Sequence, residues 1–424
     1  MSDGGHGGGH GAETHSGGRF RIPWRYVLPA LVISIPILIY LAPELMAFIV
    51  AVIGFFAPLW LPALLVWFAW PVWLTFARSH YVASVPYSTI ELKPGPETPR
   101  TARAMELVFY SLHHRTEVTR VSKYLMGHVR VPWAFEVMAH AGFVRFFVHL
   151  PTAHREAVES RIRSEYRDID IDQVRDYSRE IPYDPYRMKL HMREYNLTKP
   201  DPYPLKTYTA YEEAKSDKFL ELLEGLLDVG EEEYFCISFI VRPHHRERKG
   251  LFETESTDSL HEDAHHEIVK LLGHKGDIHA VSPKVKATIA AIEAALKKPS
   301  FDCGIRAMYV APREKAREDA EERLDSLFNR FSDGALNGFA SYHPIDNIKW
   351  PMSEAAKAIA PLQDAYFMQL YRRRAFFAPP YYGRRFVLNT EELATLFHIP
   401  HYARASALAA LRGVQLEPPA NLPV

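Results

Sequence analysis

The chain has 424 residues and a formal net charge of -1, with 47% of residues hydrophobic and 24% charged. That balance excludes a surface built throughout for nucleic acid, and the length leaves room for two or three domains. Two cysteines, Cys236 and Cys303, cannot make a disulfide framework and suit a reducing compartment.

Residues 1–23 open with a Gly/His-rich stretch that cannot bury enough surface to offset its ordering entropy, so a disordered tail is expected. Its His6, His10 and His15 read as incidental ion binders, and the stretch shows no basic-then-apolar signal pattern. From Trp24 to Phe76 the chain is almost wholly apolar, with Glu44 the only charge between Arg25 and Arg78. A run without a polar side is better solvated by a bilayer than by a protein core. It is too long for one crossing of a ~30 Å hydrocarbon layer at ~1.5 Å per residue. A transmembrane helical hairpin over 24–78 is therefore expected, turning at Pro58-Leu59-Trp60-Leu61-Pro62, with Pro43-Glu44 as the competing turn. Arg19, Arg21, Arg25 and Arg78 flank the run, which places both ends in the cytoplasm by the positive-inside bias.

Beyond Val85 the periodicities become those of an α+β protein. Thr89–Lys93 reads as a strand, followed by a helix capped by Thr98 with Pro99 at its first position and apolar residues from Ala102 to Leu112. Trp133–Ala139 and Phe143–Leu150 form strands around His140-Ala141-Gly142, Thr152–Tyr166 a helix, and Ile169–Asp172 an edge strand. The order β-α-β-β-α-β over 85–176 is that of the ferredoxin-like split unit. It recurs over 187–345 as strand Met188–Tyr195, helix Ser216–Val229, strands Tyr234–Arg242 and Phe301–Ala311, helix Arg313–Phe331 and a short strand near Phe339–Tyr342. The second unit carries an insertion at 244–299, and adjacent middle strands would bring Cys236 and Cys303 close, as buried apolar residues rather than a redox pair. Residues 346–424 hold a helical run from Ser353 to Phe377, a Pro379-Pro380-Tyr381-Tyr382 turn, a short helix capped by Thr390, and a Pro-rich tail.

Two fragments of chemistry stand out. His261-Glu262-Asp263-Ala264-His265 satisfies H-E-x-x-H, which on a helix sets two imidazoles on one face for zinc with Glu262 as general base. The surrounding Glu255, Ser256, Asp258 and His266 are polar, no third ligand is evident, and chance matches come readily in a chain with 21 His. Arg372-Arg373-Arg374, beside Tyr371, Phe376 and Phe377, is a basic patch suited to phosphates and stacked bases, or to anionic lipid. G-x-x-x-x-G-K-[ST], G-x-S-x-G and paired C-x-x-C are absent, so P-loop ATP hydrolysis by this chain is excluded.

Several segments between Ser88 and Pro423 carry a resemblance. They are Thr89-Ile90-Glu91-Leu92-Lys93, Met105-Glu106-Leu107-Val108-Phe109-Tyr110-Ser111-Leu112-His113, Phe143–Leu150, Pro204-Leu205-Lys206-Thr207-Tyr208, Ile240-Val241-Arg242-Pro243 and Leu336-Asn337-Gly338-Phe339. The most specific runs from Leu388-Asn389-Thr390-Glu391-Glu392-Leu393 through Ala394-Thr395-Leu396-Phe397-His398-Ile399-Pro400, followed by Pro418-Pro419-Ala420-Asn421-Leu422-Pro423. In these the chain resembles the membrane-anchored, non-ATPase module associated with type IV secretion-like, conjugative coupling (HerA-type) ATPases of candidate-phyla bacteria. The resemblance implies a non-catalytic scaffold without cofactor or metal, held in the bacterial inner membrane with its soluble domains in the cytoplasm. It implies a separately encoded coupling ATPase as partner, with Asn389, Thr390, Glu391, Glu392 and Leu393 at the interface, and is compatible with a homo-oligomer. The rival expectations are a membrane-tethered zinc metallopeptidase using His261 and His265, and a DNA-tethering membrane protein using Arg372, Arg373 and Arg374.

Overall fold

The structure, a computed structural model, describes residues 43–95, 101–113, 120–166, 168–213, 216–245, 259–273, 281–344 and 360–400. The tail at 1–23, the first part of the expected hairpin up to residue 42, and the Pro-rich end lie outside these. The chain divides into two compact units, Met1–Val72 and Trp73–Val424.

In the first unit, helix α1 (Pro43–Phe55) carries Glu44 in its first turn, where a carboxylate meets the positive end of the helix. Helix α2 (Ala57–Ser84) begins there and continues into the second unit. The turn expected at Pro58–Pro62 is not present: both prolines lie within α2, and the break falls at Phe56. Pro58 occupies the first helical turn, where its missing N–H has no partner to lose, so it starts a helix rather than ending one. Phe56 N–H still reaches Val52 O at 3.1 Å, and the Trp60 indole donates to Ile53 O at 3.0 Å across the junction. Helix α2 is the one described helix long and apolar enough to cross a membrane, and its apolar window is not buried at all.

The second unit is built on strands β1 (Tyr87–Pro94), β2 (Trp133–His140), β3 (Phe143–Pro151), β4 (Ile169–Val174), β5 (Met188–Leu197), β6 (Tyr234–Pro243), β7 (Ser300–Pro312) and β8 (Phe339–Tyr342). Between them lie α3 (Ala102–Leu112), α4 (Arg120–Tyr124), α5 (Arg155–Glu165), α6 (Tyr177–Glu180), α7 (Tyr208–Glu213), α8 (Lys218–Glu224), α9 (Ser259–Leu272), α10 (Pro283–Leu296) and α11 (Ala320–Ser326). The chain then adds α12 (Ala360–Arg372), β9 (Phe377–Ala378), β10 (Tyr381–Tyr382), β11 (Phe386–Asn389) and α13 (Thr390–Leu396). The main sheet runs β4-β1-β3-β2-β6-β7-β5-β8, with every neighbouring pair antiparallel. Counted within each half, the order is 4-1-3-2, once forwards and once reversed. The halves join where β2 meets β6, from Trp133↔Val241 to His140↔Tyr234, so the second strand of one half pairs with the second strand of the other.

Local chemistry explains the boundaries. The β2–β3 turn needs positive φ at both central residues, and Ala141 (φ 52) and Gly142 (φ 77) supply it. Their N–H groups donate to Gly230 O and Val229 O, which holds the strained Ala141 in place. Helix α3 is capped by Thr101, whose Oγ1 accepts from Ala104 N; the expected cap, Thr98, lies outside the described residues. The second-unit helices are shorter than their apolar spacing suggests: Asp217 caps α8 by accepting from Phe219 N and Leu220 N, and α11 spans only Ala320–Ser326. The insertion at 244–299 is helical in α9 and α10.

One face of the sheet packs under α3, α5, α8, α11 and α13 around Phe109, Phe135, Phe239, Phe328 and Phe397. The other face, with Met138, Phe147, Met192, Cys236 and Met308, is covered by α6 and α12 through Tyr177, Phe367 and Tyr371. Two covered faces leave β2, β6 and β7 buried almost end to end, so their sequences are continuous apolar runs. Cys236 and Cys303 belong to opposite faces, and the register Cys236↔Met308, Val241↔Cys303 separates them by five residues, roughly 16 Å. Both are free thiols, so the expected closeness is not realised.

Strand β7 is flanked on one side by β5 along Ile305–Pro312 and by β11 along Ser300–Cys303. Gly304 lies at that junction, and a Cβ there would sit 2.2 Å from the Phe376 ring; one at Gly383 would sit 2.4 Å from the same ring. The buried Phe376 is thus clamped between two glycines. Gly304→Ala is expected to destabilise the domain by about 1–3 kcal/mol, the usual range for overpacking. Denaturant unfolding checks this, and Phe376→Leu in the same chain should recover part of the loss.

Candidate functional site

Helix α2 ends at Ser84 and β1 begins at Tyr87, so the helix enters the sheet at one defined end. The registers Tyr87↔Pro151, Thr89↔Val174 and Ala134↔His149 gather there the starts of β1 and β2 and the ends of β3 and β4. This end opens into a cleft of about 980 Å³. Its walls come from the last turns of α2 (Ser79, Val82, Ala83), the strand ends, the start of α6, and the segment from Arg372 to Pro380. Six arginines line it (Arg130, Arg175, Arg179, Arg372, Arg373 and Arg374) against two carboxylates, Asp176 and Glu180.

The arginines do different work. Arg374 is buried and forks between two carboxylates: Nη2 donates to Glu136 Oε2 at 2.8 Å, and Nη1 to Asp176 Oδ2 at 2.5 Å. Glu136, fully buried in β2, also accepts from Ser238 Oγ at 2.8 Å, so the network spans the seam between the two halves. Burial alone would raise the Asp176 carboxyl, but the hydrogen bonds and charge of Arg374, with the Ser178 hydroxyl, hold it down at about 2. Arg372 donates to the carbonyls of Ser178 (3.1 Å) and Ile181 (3.0 Å), tying α12 to α6. Arg130 donates to Pro243 O at 2.6 Å. His149 stacks on Tyr87 with ring centres 4.8 Å apart and contacts Thr89 Oγ1 through Nδ1 at 2.8 Å. Burial, reinforced by the Arg374 charge, lowers its pKa to about 3, so the imidazole is neutral.

Arg175, Arg179 and Arg373 remain exposed. Arg179 lies 3.8 Å from Asp176, while Arg175 and Arg373 make no ion pair or side-chain hydrogen bond among the described residues. The three arginines of the expected basic patch therefore have different environments. Arg374 is a structural staple, because a carboxylate buried in β2 requires a cation; Arg372 is half-buried on backbone carbonyls, and Arg373 is the exposed one of the three. The aromatic neighbours Tyr371, Phe376 and Phe377 are buried, so they offer bases no open stacking surface.

The residues expected at a partner interface are built largely into the domain, with Glu391 half-buried. Asn389, Thr390, Glu392 and Leu393 are all buried. Asn389, not Thr390, caps α13: its Oδ1 accepts from Glu391 N and Glu392 N, and Glu392 Oε2 accepts from Asn389 N at 2.8 Å. Glu392 Oε1 accepts from Leu205 N at 2.7 Å, and Thr395 Oγ1 from Tyr208 N at 2.9 Å. Glu391 meets Lys298 at 2.6 Å, and Lys298 meets Glu106 at 2.6 Å. Residues 389–395 form an internal clasp that closes the Pro204–Tyr208 loop on the domain.

His261, Glu262 and His265 lie on the exposed side of α9, whose buried side carries Leu260, Ala264 and Glu267. No group of three or more His, Cys, Asp or Glu residues with metal-holding geometry occurs among the described residues. Sequence reasoning passed over Glu136, His149, Asp176 and Arg175. Glu136 had a signal: a lone carboxylate inside the apolar run Trp133–Ala139 demands a buried cation. No curated protein matches this chain. Residues 81–406, from the end of α2 past α13, match a family described as Domain of unknown function (DUF8128), and the chain belongs to that family.

Proposed function

We propose that this protein is a membrane-anchored docking component of a type IV secretion-like or conjugative machinery, without catalysis of its own. It holds a coupling-type P-loop ATPase, carried on a separate chain, at the cytoplasmic face of the bacterial inner membrane. In this reading the two halves of the large domain are tandem ferredoxin-like units; the 4-1-3-2 order in each half, all antiparallel, supports that assignment.

The observation that carries the anchoring is α2, 28 residues long, with its apolar window entirely exposed and only two residues between its end and the first sheet strand. Exposed Trp60, Trp67 and Trp73 and a first basic residue at Arg78 fit a helix whose lipid side is apolar and whose domain side is positive. The Asp176 and Asp302 carboxyls, both held below the ordinary range, are committed to ion pairs with Arg374 and Arg242, which suits a structural role for these two groups.

Full-length protein is expected to float with phosphatidylcholine vesicles through a density gradient, and a chain beginning at Tyr87 to stay at the bottom. Affinity purification from detergent-solubilised native membranes should recover a P-loop ATPase. A full-length chain that stays monodisperse in detergent-free buffer removes the anchor, and repeated recovery of no ATPase removes the docking role.

A further inference from the structure

We propose that the arginine-lined cleft at the end of α2 binds the phosphate group of an anionic glycerophospholipid, with Arg175 and Arg373 as its principal cations. The inference rests on the anchoring reading, since it takes the lipid from the bilayer that α2 would occupy.

A volume of about 980 Å³ is large for structural packing and suits a headgroup with its glycerol backbone. The walls are of two kinds. One is apolar: Val82 and Ala83 on α2, Val85 just beyond it, and Pro379 and Pro380 opposite. The other is cationic, and its charges divide cleanly by use. Arg130, Arg372 and Arg374 already donate to protein carbonyls or carboxylates. Arg175 and Arg373 have no protein partner among the described residues, and Arg179 keeps a loose contact with Asp176. Asp176 is committed to Arg374, which leaves Glu180 as the lining carboxylate not given to that network. His149 is held neutral and adds no competing charge.

Unmatched guanidinium groups beside an apolar wall select an amphiphile whose polar end is an anion. A free phosphate would use the cations and leave the apolar wall wet. A nucleic acid would need open rings to stack on, and Trp133, Phe376 and Phe377 are buried. Val82 and Ala83 lie on the last turns of α2, so an acyl chain packed against them would leave its phosphate to the cleft arginines. The shared chemistry is a phosphate on arginine, and the bilayer is its source.

The test uses full-length protein in nanodiscs. Wild type in phosphatidylcholine discs doped with phosphatidylglycerol should retain one phosphatidylglycerol per chain by native mass spectrometry. It should prefer this lipid over phosphatidylcholine at least tenfold, less so at high salt. The Arg175→Gln/Arg373→Gln chain, altered only at exposed positions, should enter discs and melt as wild type does while losing that preference. Equal retention of the two lipids by wild type, or an unchanged preference in the double variant, overturns the site. Displacement of phosphatidylglycerol by millimolar inorganic phosphate or glycerol 3-phosphate assigns the cleft to a soluble anion and overturns the lipid source. Wild type that enters neutral discs without lipid preference sinks this inference alone; failure to enter any disc sinks the anchoring reading with it.

Discussion

Arg374→Met is expected to destabilise the large domain by about 3–5 kcal/mol, the range for removing one partner of a buried ion pair. The size reflects the charges that stay behind. Glu136 is fully buried in β2, with Arg374 supplying its counter-charge and Ser238 one hydroxyl hydrogen bond. Asp176 loses the same cation, and Tyr177 loses the guanidinium lying 5.7 Å from its ring centre. Arg374→Lys keeps the charge without the fork that serves two carboxylates at once, so it should fall between wild type and Arg374→Met. Glu136→Leu combined with Arg374→Met should recover part of the loss, because an apolar pair leaves no charge stranded in the sheet. The same network sets an acid limit. The Asp176 carboxyl is held at about 2 in the fold against an ordinary value near 3.8. Its contribution is present above pH 4 and lost as pH falls towards 2, and Arg374→Met should remove that part of the acid transition. Denaturant titrations in detergent across this range check both statements. A change below about 1 kcal/mol would contradict the role given to Arg374.

Glu392→Ala should rank with it, at about 2–6 kcal/mol, because it strands two buried backbone donors, Leu205 N and Asn389 N, at about 1–3 kcal/mol each. The loss should be local in origin, freeing the Pro204–Tyr208 loop from α13, so hydrogen exchange at Leu205 and Tyr208 ought to accelerate before the sheet opens. The pH response has the opposite sign to that of Asp176. Burial pushes the Glu392 carboxyl up to about 7, with Glu391 and Asp201 adding to the effect and the two backbone N–H groups opposing it. A carboxyl raised in the fold contributes stability in full below its unfolded value and loses it as pH climbs through about 7. Asp201, pushed up to about 6 by burial, titrates in the same window. Wild type should therefore lose stability relative to Glu392→Gln between pH 4.5 and 7, and a difference that stays flat over this interval contradicts the assignment.

How much of the fold was legible in the sequence depends on the range of the interaction concerned. Nearest-neighbour patterns sufficed for an apolar helix and for β1 to β8, since alternation and helical spacing act over a few residues; β11, the ninth strand of the sheet, was not legible there. The His140–Phe143 hairpin was legible for the same reason: a tight turn advertises itself through its glycine. Boundaries failed where capping decided them. Asn389 rather than Thr390 starts α13 because the reciprocal bond from Glu392 selects one register among two plausible caps. Pro58 looked like a turn and proved to be a helix start, since a proline in a first turn and a proline in a loop read alike from sequence.

The functional residues divide along the same line. A run of apolar residues from Trp24 to Phe76 states its own solvent preference, so composition alone pointed to a transmembrane hairpin, of which α2 is the one described helix long and apolar enough to cross a membrane. Three consecutive arginines state only their charge. The fate of Arg374 was settled by contacts 196 and 238 positions away in the chain, with Ser178 and Glu136. The pairing of β2 with β6, which joins the halves into one sheet and brings Ser238 to Glu136, leaves no local trace because the two strands face each other across a hundred residues. Local free-energy preferences are written in neighbouring residues and can be read there; which cations are consumed and which stay available at the cleft is a matter of long-range electrostatics, and only the folded chain determines it.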